Sequence, residues 1–232
     1  IEDLDAYRRS LARYAYRSSQ VMSPILERAK QHPKRVVFAE GESNRVLQAV
    51  QQIVDEGLTQ PILVGNRERI QQRIISLQLR IKEGSDFSIV DPIGGDWFEP
   101  YLADYTARMG RKGISPDEAK STMHSDKTVI AAMMCLRGDA DAMLCGAHGR
   151  FRKHLQPIDD LIGKCEGIDN YATVTVLSLP TGTFFVCDSH ITPDPSAEEI
   201  AQTTLMAAEE MRRFGILPKA ALLSNSNFGT ND

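Results

Sequence analysis

Three stretches of this sequence place glycine, hydroxyl, amide and charged groups directly after an apolar run. They read AEGESNR from Ala39, CGAHGR from Cys145 and SNSNFGTND from Ser224. In open sheets of parallel strands, ligands bind at the carboxyl ends of the strands, where glycines admit the ligand and helix N-termini attract anions. We therefore expect the three loops to face one cleft for an anionic or nucleotide-derived ligand.

The residues that we expect to contact this ligand are glycines or carry hydroxyl, amide, carboxylate or guanidinium groups. They are Glu40, Arg45, Gly146, Ser224, Asn225, Ser226, Gly229 and Thr230. None of them is predicted to be catalytic, because the serines lack the G-x-S-x-G elbow of nucleophilic serines. Two carboxylates before a helix, such as Glu40 and Glu42, are more typical of favourable placement at a helix N-terminus than of an acid/base pair.

Motifs for common cofactors and metals are missing from the sequence. Neither G-x-G-x-x-G nor G-x-x-x-x-G-K-[ST] occurs, which gives no support to NAD or ATP binding. Cys145, His148 and His154 do not have a zinc-ligand spacing, so we expect no metal site. Asp188 and His190 are either a catalytic pair or, as we favour, the organisers of a proline-rich turn.

Charge and hydropathy exclude several classes of partner. The 232 residues carry a net charge of -4, which gives no broad basic field for nucleic acid. Apolar runs are too short to span a membrane. Four separated cysteines without a Cys-x-x-Cys pair favour the cytoplasm. Because the N-terminus lacks a signal core and a methionine, we expect a chain cut from something longer.

Hydrophobic periodicity predicts the elements that position the loops. Two helices precede an apolar strand at 36–39, which leads into a helix with Ser43 as N-cap and Gly57 at its end. A second strand and helix follow, with Asn66 as N-cap, and DFSIVDP predicts a third strand. This alternation indicates an α/β fold with a parallel sheet.

Helices dominate the middle of the chain, and strands return after it. The elements predicted there are helices at about 97–112, after Ser115 (with Glu118 in a capping box) and at 128–136, a strand in ADAMLCGA, a hairpin in ATVTVLSLPTGTFFVCDS, a helix after Ser196 with Glu199 in a capping box, and a buried strand at 220–223. The hairpin leads us to expect a mixed sheet.

Several stretches together resemble the phosphate acetyl/butyryltransferase family. They are RVVFAEGESNRVLQAV, GLTQPILVGNRERI, ADAMLCGA and the run from CDSHITPDP to LLSNSNFGT. The segments ILERAKQHPKRVVFAEGE, DYTARM, RMGRKGISPDEA and NSNFG are most similar to the C-terminal domain of hybrid NADP-dependent malic enzymes. In those proteins a phosphotransacetylase-like domain follows a malic enzyme domain.

The resemblance implies a three-layer α-β-α sandwich of the isocitrate/isopropylmalate dehydrogenase-like type, with two lobes around a cleft. It also implies dimerisation through this domain. The corresponding ranges are N-terminal helices at 1–34, a first lobe at 35–147 and a second lobe at 148–232, with a boundary near 146–163. We expect the chain to be an incomplete fragment of this fold, because two lobes of usual size need about 300 residues.

This sequence departs from the family pattern at positions that matter for the transferase chemistry. The family's serine-arginine pair and aspartate come later than residue 232, and two earlier family arginines fall on Met109 and Gln156. Arg108 and Arg111 are close enough to Met109 in the sequence that a shift in the alignment would place one of them at the position of the first family arginine. An amide or a thioether does not replace a guanidinium fork on a phosphate.

The resemblance therefore implies a regulatory domain that binds acetyl-CoA or a related acyl-CoA and is itself inactive. The NADP and Mg or Mn cofactors, and the oxidative decarboxylation of malate, belong to the malic enzyme domain of the same chain. The alternatives are a working phosphate acetyltransferase and a homo-oligomerisation domain with a relic cleft. No cofactor is expected in this domain.

Overall fold

The structure is a computed structural model that describes residues 22–179, 182–188, 191–192 and 194–223. Its chain forms two compact units: one is Leu26–Gly163, and the other contains the described residues 22–25 and those from Lys164 onward. The division lies at the end of the range 146–163 in which the sequence placed a boundary. The lobe ranges themselves stay a prediction.

The first unit alternates strands and helices, as the hydrophobic periodicity predicts. The unit begins within the helix α1 (22–31). Its further elements are β1 (Lys34–Phe38), α2 (Asn44–Glu56), β2 (Thr59–Val64), α3 (Arg67–Ser76), β3 (Ser88–Val90), α4 (Phe98–Met109), a 3-10 turn (Gly110–Lys112), α5 (Pro116–Ser125), α6 (Lys127–Arg137), β4 (Ala142–Leu144) and α7 (Phe151–Leu161).

The four strands of this unit form one parallel sheet in the order β3-β2-β1-β4. Val36 of β1 lies opposite Pro61 of β2 on one side and Ala142 of β4 on the other. The chain moves outward from β1 to β2 and β3 and then returns to the opposite side of β1. The sheet order therefore reverses between β1 and β4, at their shared carboxyl ends.

Alternate residues of β1 and of the position directly after it pack on opposite faces of the sheet. Val37 and Ala39 belong to a buried cluster with side chains of α4, α5 and α6. Val36 and Phe38 belong to a second cluster with side chains of α2 and α3. Because both faces are covered by helices, this unit has the helix-sheet-helix layering expected of a parallel α/β fold.

Side-chain capping is observed at three of the four helix starts for which the sequence predicts an N-cap residue. Ser115 and Ser196 each form a reciprocal capping box, with Glu118 and Glu199 respectively, and Asn66 accepts a hydrogen bond from the Arg69 amide. Ser43 is also the N-cap residue of its helix, α2, but its side chain makes no capping bond. The hydroxyl of Ser43 instead contacts the ring of His148.

The second unit contains a hairpin, β5 (Val174–Leu179) with β6 (Gly182–Cys187), and the long helix α8 (Ala197–Arg213). The predicted hairpin is confirmed by the antiparallel register, in which Val174 lies opposite Cys187. The mixed sheet is wrong for the described residues, because the hairpin strands pair only with each other and the four-stranded sheet is wholly parallel.

The predicted buried strand at 220–223 is also wrong. These residues have no regular secondary structure, and the side chains of Leu222 and Leu223 are 76% and 91% exposed. A strand needs a neighbour for its backbone hydrogen bonds, and none of the described residues forms a ladder with this segment. Across the described ranges, no helix has the length and apolarity needed to span a membrane.

Candidate functional site

A cleft of about 480 Å³ opens at the carboxyl ends of β1 and β4, where the sheet order reverses. Crevices at such switch points are the usual ligand sites of open α/β sheets. The cleft is lined by Ala39, Glu40, Thr122, Ser125, Asp126, Lys127, Thr128, His148, Lys153 and His154. Its walls therefore come from the loops after β1 and β4 and from α5, α6 and α7.

Two residues that the sequence places in the site, Glu40 and Gly146, meet across the switch point. The Gly146 amide donates to Glu40 Oε1 at 2.7 Å, and the Glu40 side chain is only 17% exposed. Gly146 has a φ of 89°, a left-handed conformation that favours glycine. This bond ties together the loops that follow β1 and β4.

His154 of α7 crosslinks the same region. Its Nε2 lies 2.6 Å from the carbonyl oxygen of His148, so Nε2 carries a proton and donates it. In the neutral ring Nδ1 is then an acceptor, and it lies 2.9 Å from the Thr128 hydroxyl. The same Nδ1 is 3.9 Å from Glu40 Oε1. His154 therefore acts as a structural link between α6, α7 and the loop after β4.

His148 in turn holds the start of α2. Its Nε2 is 3.0 Å from the hydroxyl of Ser43, which explains why this N-cap residue makes no capping bond. Ser43 is buried, and the contact joins residues 105 positions apart. The sequence identified both residues but gave no signal that they meet.

A second group of contacts surrounds the carboxylate of Glu42. Glu42 Oε1 accepts from Lys127 Nζ at 2.5 Å and from the Asn66 amide at 2.9 Å. Arg69 lies 3.6 Å from Oε2, and Arg73 donates to the Glu42 carbonyl oxygen. Partial burial raises the pKa of Glu42, but the hydrogen bonds from Lys127 and Asn66 outweigh this effect and hold the pKa below its usual value.

The cleft carries charges of both signs. Lys127 and Lys153 line it, and so do Glu40 and Asp126. Asp126 Oδ1 already accepts from the amides of Thr128 and Val129 at the start of α6. Both cleft carboxylates thus have backbone donors, whereas Lys127 pairs with Glu42, which is not among the residues lining the cleft.

The cleft is not equipped with a reactive thiolate. Burial raises the pKa of the Cys145 thiol, and the nearby charges of Glu40 and Asp126 raise it further, so the protonated form is favoured. Within the part of the chain that the structure describes, no three His, Cys, Asp or Glu side chains come close enough to hold a metal ion.

The other predicted contact residues are placed differently or lie outside the described residues. Arg45 is exposed on the first turn of α2 and is not among the residues lining the cleft. The tail residues Ser224, Asn225, Ser226, Gly229 and Thr230 all fall outside the described residues, so their role stays a prediction.

The two positions of the expected family arginines are occupied by side chains with structural contacts. Met109 is 5% exposed in the core cluster, whereas neighbouring Arg108 faces solvent. Gln156 donates to Asp160 Oδ2 at 3.1 Å, and Lys112 lies 3.1 Å from Asp160 Oδ1. The 3-10 turn after α4 and the end of α7 therefore meet at a carboxylate, which is unfavourable for a phosphate.

Asp188 has the turn role that the sequence favours. Its amide donates to the Thr173 carbonyl oxygen at 2.7 Å, and its Oδ2 accepts from the Thr192 amide at 3.2 Å. The proposed partner His190 lies outside the described residues.

Comparisons with known proteins agree with the resemblance. The sequence profile of the phosphate acetyl/butaryl transferase family matches residues 20–232. An NAD-dependent malic enzyme of Rhizobium meliloti (strain 1021) is 44% identical over 233 residues, which is 100% of this chain and 30% of that protein. An NADP-dependent malic enzyme of Haemophilus influenzae (strain ATCC 51907 / DSM 11121 / KW20 / Rd) is 44% identical over 232 residues, 100% of this chain and 31% of that protein.

A crystal structure of a phosphotransacetylase from Streptococcus pyogenes superposes with a TM-score of 0.79 at 25% sequence identity. The match covers 91% of this chain and 64% of that one. The chain thus spans less than a third of the malic enzymes that it matches and about two thirds of the phosphotransacetylase. This chain belongs to the phosphate acetyl/butaryl transferase family.

Proposed function

We propose that this chain is an acyl-CoA-binding, regulatory phosphotransacetylase-like domain of a malic enzyme. The observation that carries the proposal is that the cleft at the switch point is present, although Met109 and Gln156 occupy the positions where the family arginines are expected. Similarity to malic enzymes along the full chain supports the parent protein. Malate decarboxylation, NADP or NAD, and Mg or Mn belong in this proposal to the malic enzyme domain.

The cleft has the chemistry to bind the phosphate groups of an acyl-CoA. Lys127 and Lys153 supply positive charge, and Ser125 and Thr122 supply hydroxyl groups. Glu40 and Gly146 hold the loops of the cleft together. We place Arg45 and the tail residues Ser224, Asn225, Ser226, Gly229 and Thr230 as further contacts to the same ligand.

The positions of the arginine replacements support a domain without transferase activity. An arginine at position 109 would place its guanidinium in the apolar core between α4 and its neighbours. At position 156, the amide is already engaged with Asp160. Transfer of an acetyl group from acetyl phosphate needs cationic forks on the phosphate and the developing oxyanion, and neither Met109 nor Gln156 supplies one.

Regulation requires that acetyl-CoA bind two states of the whole enzyme unequally. We therefore expect acetyl-CoA to inhibit malate oxidation by the full-length protein, which we propose is a cytoplasmic homo-oligomer. Isothermal titration calorimetry measures binding, and NADPH or NADH formation measures inhibition. Absence of binding at millimolar acetyl-CoA would contradict the proposal.

A working phosphate acetyltransferase is the second candidate, because the matching solved structure is described as a phosphotransacetylase. It requires Arg108 or Arg111 to contact the phosphate in place of Met109. This function predicts that thiol is consumed when the full-length protein meets acetyl phosphate and CoA. No turnover in that assay would rule it out.

An assembly role is the third candidate. The hairpin exposes six apolar residues, which favours an interface. They are Val174, Val176, Leu177, Leu179, Phe184 and Val186. Under this function, deletion of the domain changes the size of the assembly and leaves the acetyl-CoA sensitivity of malate oxidation unchanged.

A further inference from the structure

We propose that Lys127 exchanges partners when the ligand binds. Its ammonium group leaves the carboxylate of Glu42 and pairs with a phosphate group of the bound ligand. This inference rests on the proposed binding of an acyl-CoA in the cleft. It makes Lys127 a residue that determines specificity for phosphorylated ligands, and it makes Glu42 the group that competes for it.

Lys127 lies between two possible partners. It is the first residue of α6, and it lines the cleft. Its side chain is 31% exposed, whereas that of its partner Glu42 is 16% exposed. The ammonium group therefore lies at the edge of the cleft, and rotation of a flexible four-carbon side chain suffices to turn it toward a ligand.

Glu42 keeps other partners when Lys127 leaves. The Asn66 amide donates to the same oxygen, Oε1, at 2.9 Å. Arg69 lies 3.6 Å from Oε2, and Arg73 holds the backbone carbonyl oxygen of Glu42. Removing one partner from a half-buried ion pair is costly when a bare charge remains. Here the carboxylate retains a backbone donor and a cation, which lowers the cost of exchange.

The other carboxylates of the cleft do not compete for Lys127 in the same way. Glu40 accepts from the Gly146 amide, and Asp126 accepts from two amides at the start of α6. A phosphate or diphosphate carries more charge and more acceptor oxygens than the single carboxylate of Glu42. An entering phosphate group is therefore the stronger partner for Lys127.

Exchange has a consequence beyond affinity. Glu42 belongs to the loop between β1 and α2, and it contacts the first residues of α3 through Asn66 and Arg69. When Lys127 moves away, the Asn66 amide and Arg69 alone stabilise the negative charge of the Glu42 carboxylate. Occupancy of the cleft is thereby communicated to the loops that follow β1 and β2.

The test compares two substitutions with opposite expected effects on the dissociation constant for acetyl-CoA, measured by calorimetry on the full-length protein. Lys127→Met is expected to weaken binding about tenfold, as is typical when one charge-assisted hydrogen bond is lost. Glu42→Gln keeps the acceptor for the Asn66 amide but releases Lys127, so it is expected to tighten binding about threefold or more. Lys120→Met removes an exposed lysine that does not line the cleft, and it is the matched control.

Inorganic pyrophosphate is the second probe, because it tests the exchange without an acyl-CoA. Weaker binding of either probe by both the Lys127→Met and Glu42→Gln variants would overturn the exchange and indicate a fixed structural pair. Unchanged affinity in Lys127→Met would overturn it as well. Wild-type protein that binds pyrophosphate but not acetyl-CoA would overturn the proposed function alone, and wild-type protein that binds neither would overturn both.

Discussion

At the residue scale, Gly65 leaves space for the side chain of Glu42, whose carboxylate pairs with Lys127. A Cβ on Gly65 would lie 2.9 Å from Glu42 Cγ and 3.2 Å from Ile70 Cδ1. The first distance is shorter than any normal contact between such carbons. The absence of a side chain at this one position therefore permits Glu42 to reach Lys127, Asn66 and Arg69.

We expect Gly65→Ala to lower the free energy of unfolding by about 1–3 kcal/mol, the usual cost of overpacking. It is also expected to displace Glu42 and change acetyl-CoA affinity. Urea denaturation followed by circular dichroism measures the first effect. Gly110→Ala is the matched control, because φ is -58° there and the new methyl group meets no atom within 4 Å. Equal stability of the Gly65→Ala variant and wild type would contradict the close approach of Glu42.

At the element scale, two serines begin helices by different means. The Ser115 hydroxyl accepts from the Glu118 amide, and the Glu118 carboxylate accepts from the Ser115 amide. The start of α5 is therefore capped by local residues. Ser43 stands at the same position of α2 but bonds to the ring of His148, 105 residues away. The start of α2 is thus stabilised through the cleft rather than by local capping.

We expect Ser115→Ala to cost about 1 kcal/mol of stability, as loss of an N-cap usually does, regardless of the residue at position 148. Ser43→Ala is expected to cost about 1 kcal/mol only while His148 is present, because the bond between the two side chains is what it removes. A double-mutant cycle with His148→Ala, monitored by chemical denaturation, measures the coupling. A Ser43→Ala cost that persists in the His148→Ala background would show that Ser43 acts as a conventional cap.

At the scale of the whole molecule, the buried hydrophobic residues of the described ranges all lie in one unit. The buried hydrophobic residues run from Val36 to Leu161, and among the described residues from Lys164 onward none reaches the same degree of burial. Burial of apolar surface is the dominant favourable term in folding. The first unit therefore contains most of the stabilising interactions of the described chain.

We accordingly expect a fragment of residues 22–163 to fold alone and to unfold cooperatively on heating. A fragment of residues 164–223 is expected to give no cooperative transition, because its hairpin and helix bury too little apolar surface by themselves. Differential scanning calorimetry of both fragments measures this. A sharp transition in the second fragment alone would contradict the assignment of stability to the first unit.

A pH dependence of stability follows from the pair that joins the edge strand β4 to β1. The Arg35 side chain and amide donate to Asp141, and they lower the pKa of this carboxyl from its ordinary value of 3.8 to about 2. Because the folded-state pKa is depressed, the contribution is present above pH 3.8 and is lost as the pH falls toward 2. We expect Asp141→Asn and Arg35→Gln to reduce the slope of stability against pH in this window, measured by acid titration of circular dichroism. An unaltered slope in both variants would exclude the pair as its cause.

The sequence by itself determined the β-α units, the capping boxes at Ser115 and Ser196, the hairpin and the membership of the family. These features depend on hydrophobic periodicity, on hydrogen bonds that span three residues, and on motifs that occur in order along the chain. It also predicted that the loops carrying Glu40 and Gly146 come together, because strand carboxyl ends share an edge, and the two residues are in contact. Its errors, the mixed sheet and the strand at 220–223, concern which strands pair with which.

Only the tertiary structure decided which distant side chains meet at that edge. Lys127 reaches Glu42 across 85 residues, and His148 reaches Ser43 across 105. Neither contact leaves a periodic or local pattern in the sequence, since each arises from the order of strands in the sheet. The wrong strand prediction at 220–223 has the same cause, because an apolar run becomes a strand only where a neighbour supplies its hydrogen bonds. Local chemistry therefore specifies the elements, and the packing of the sheet specifies the site.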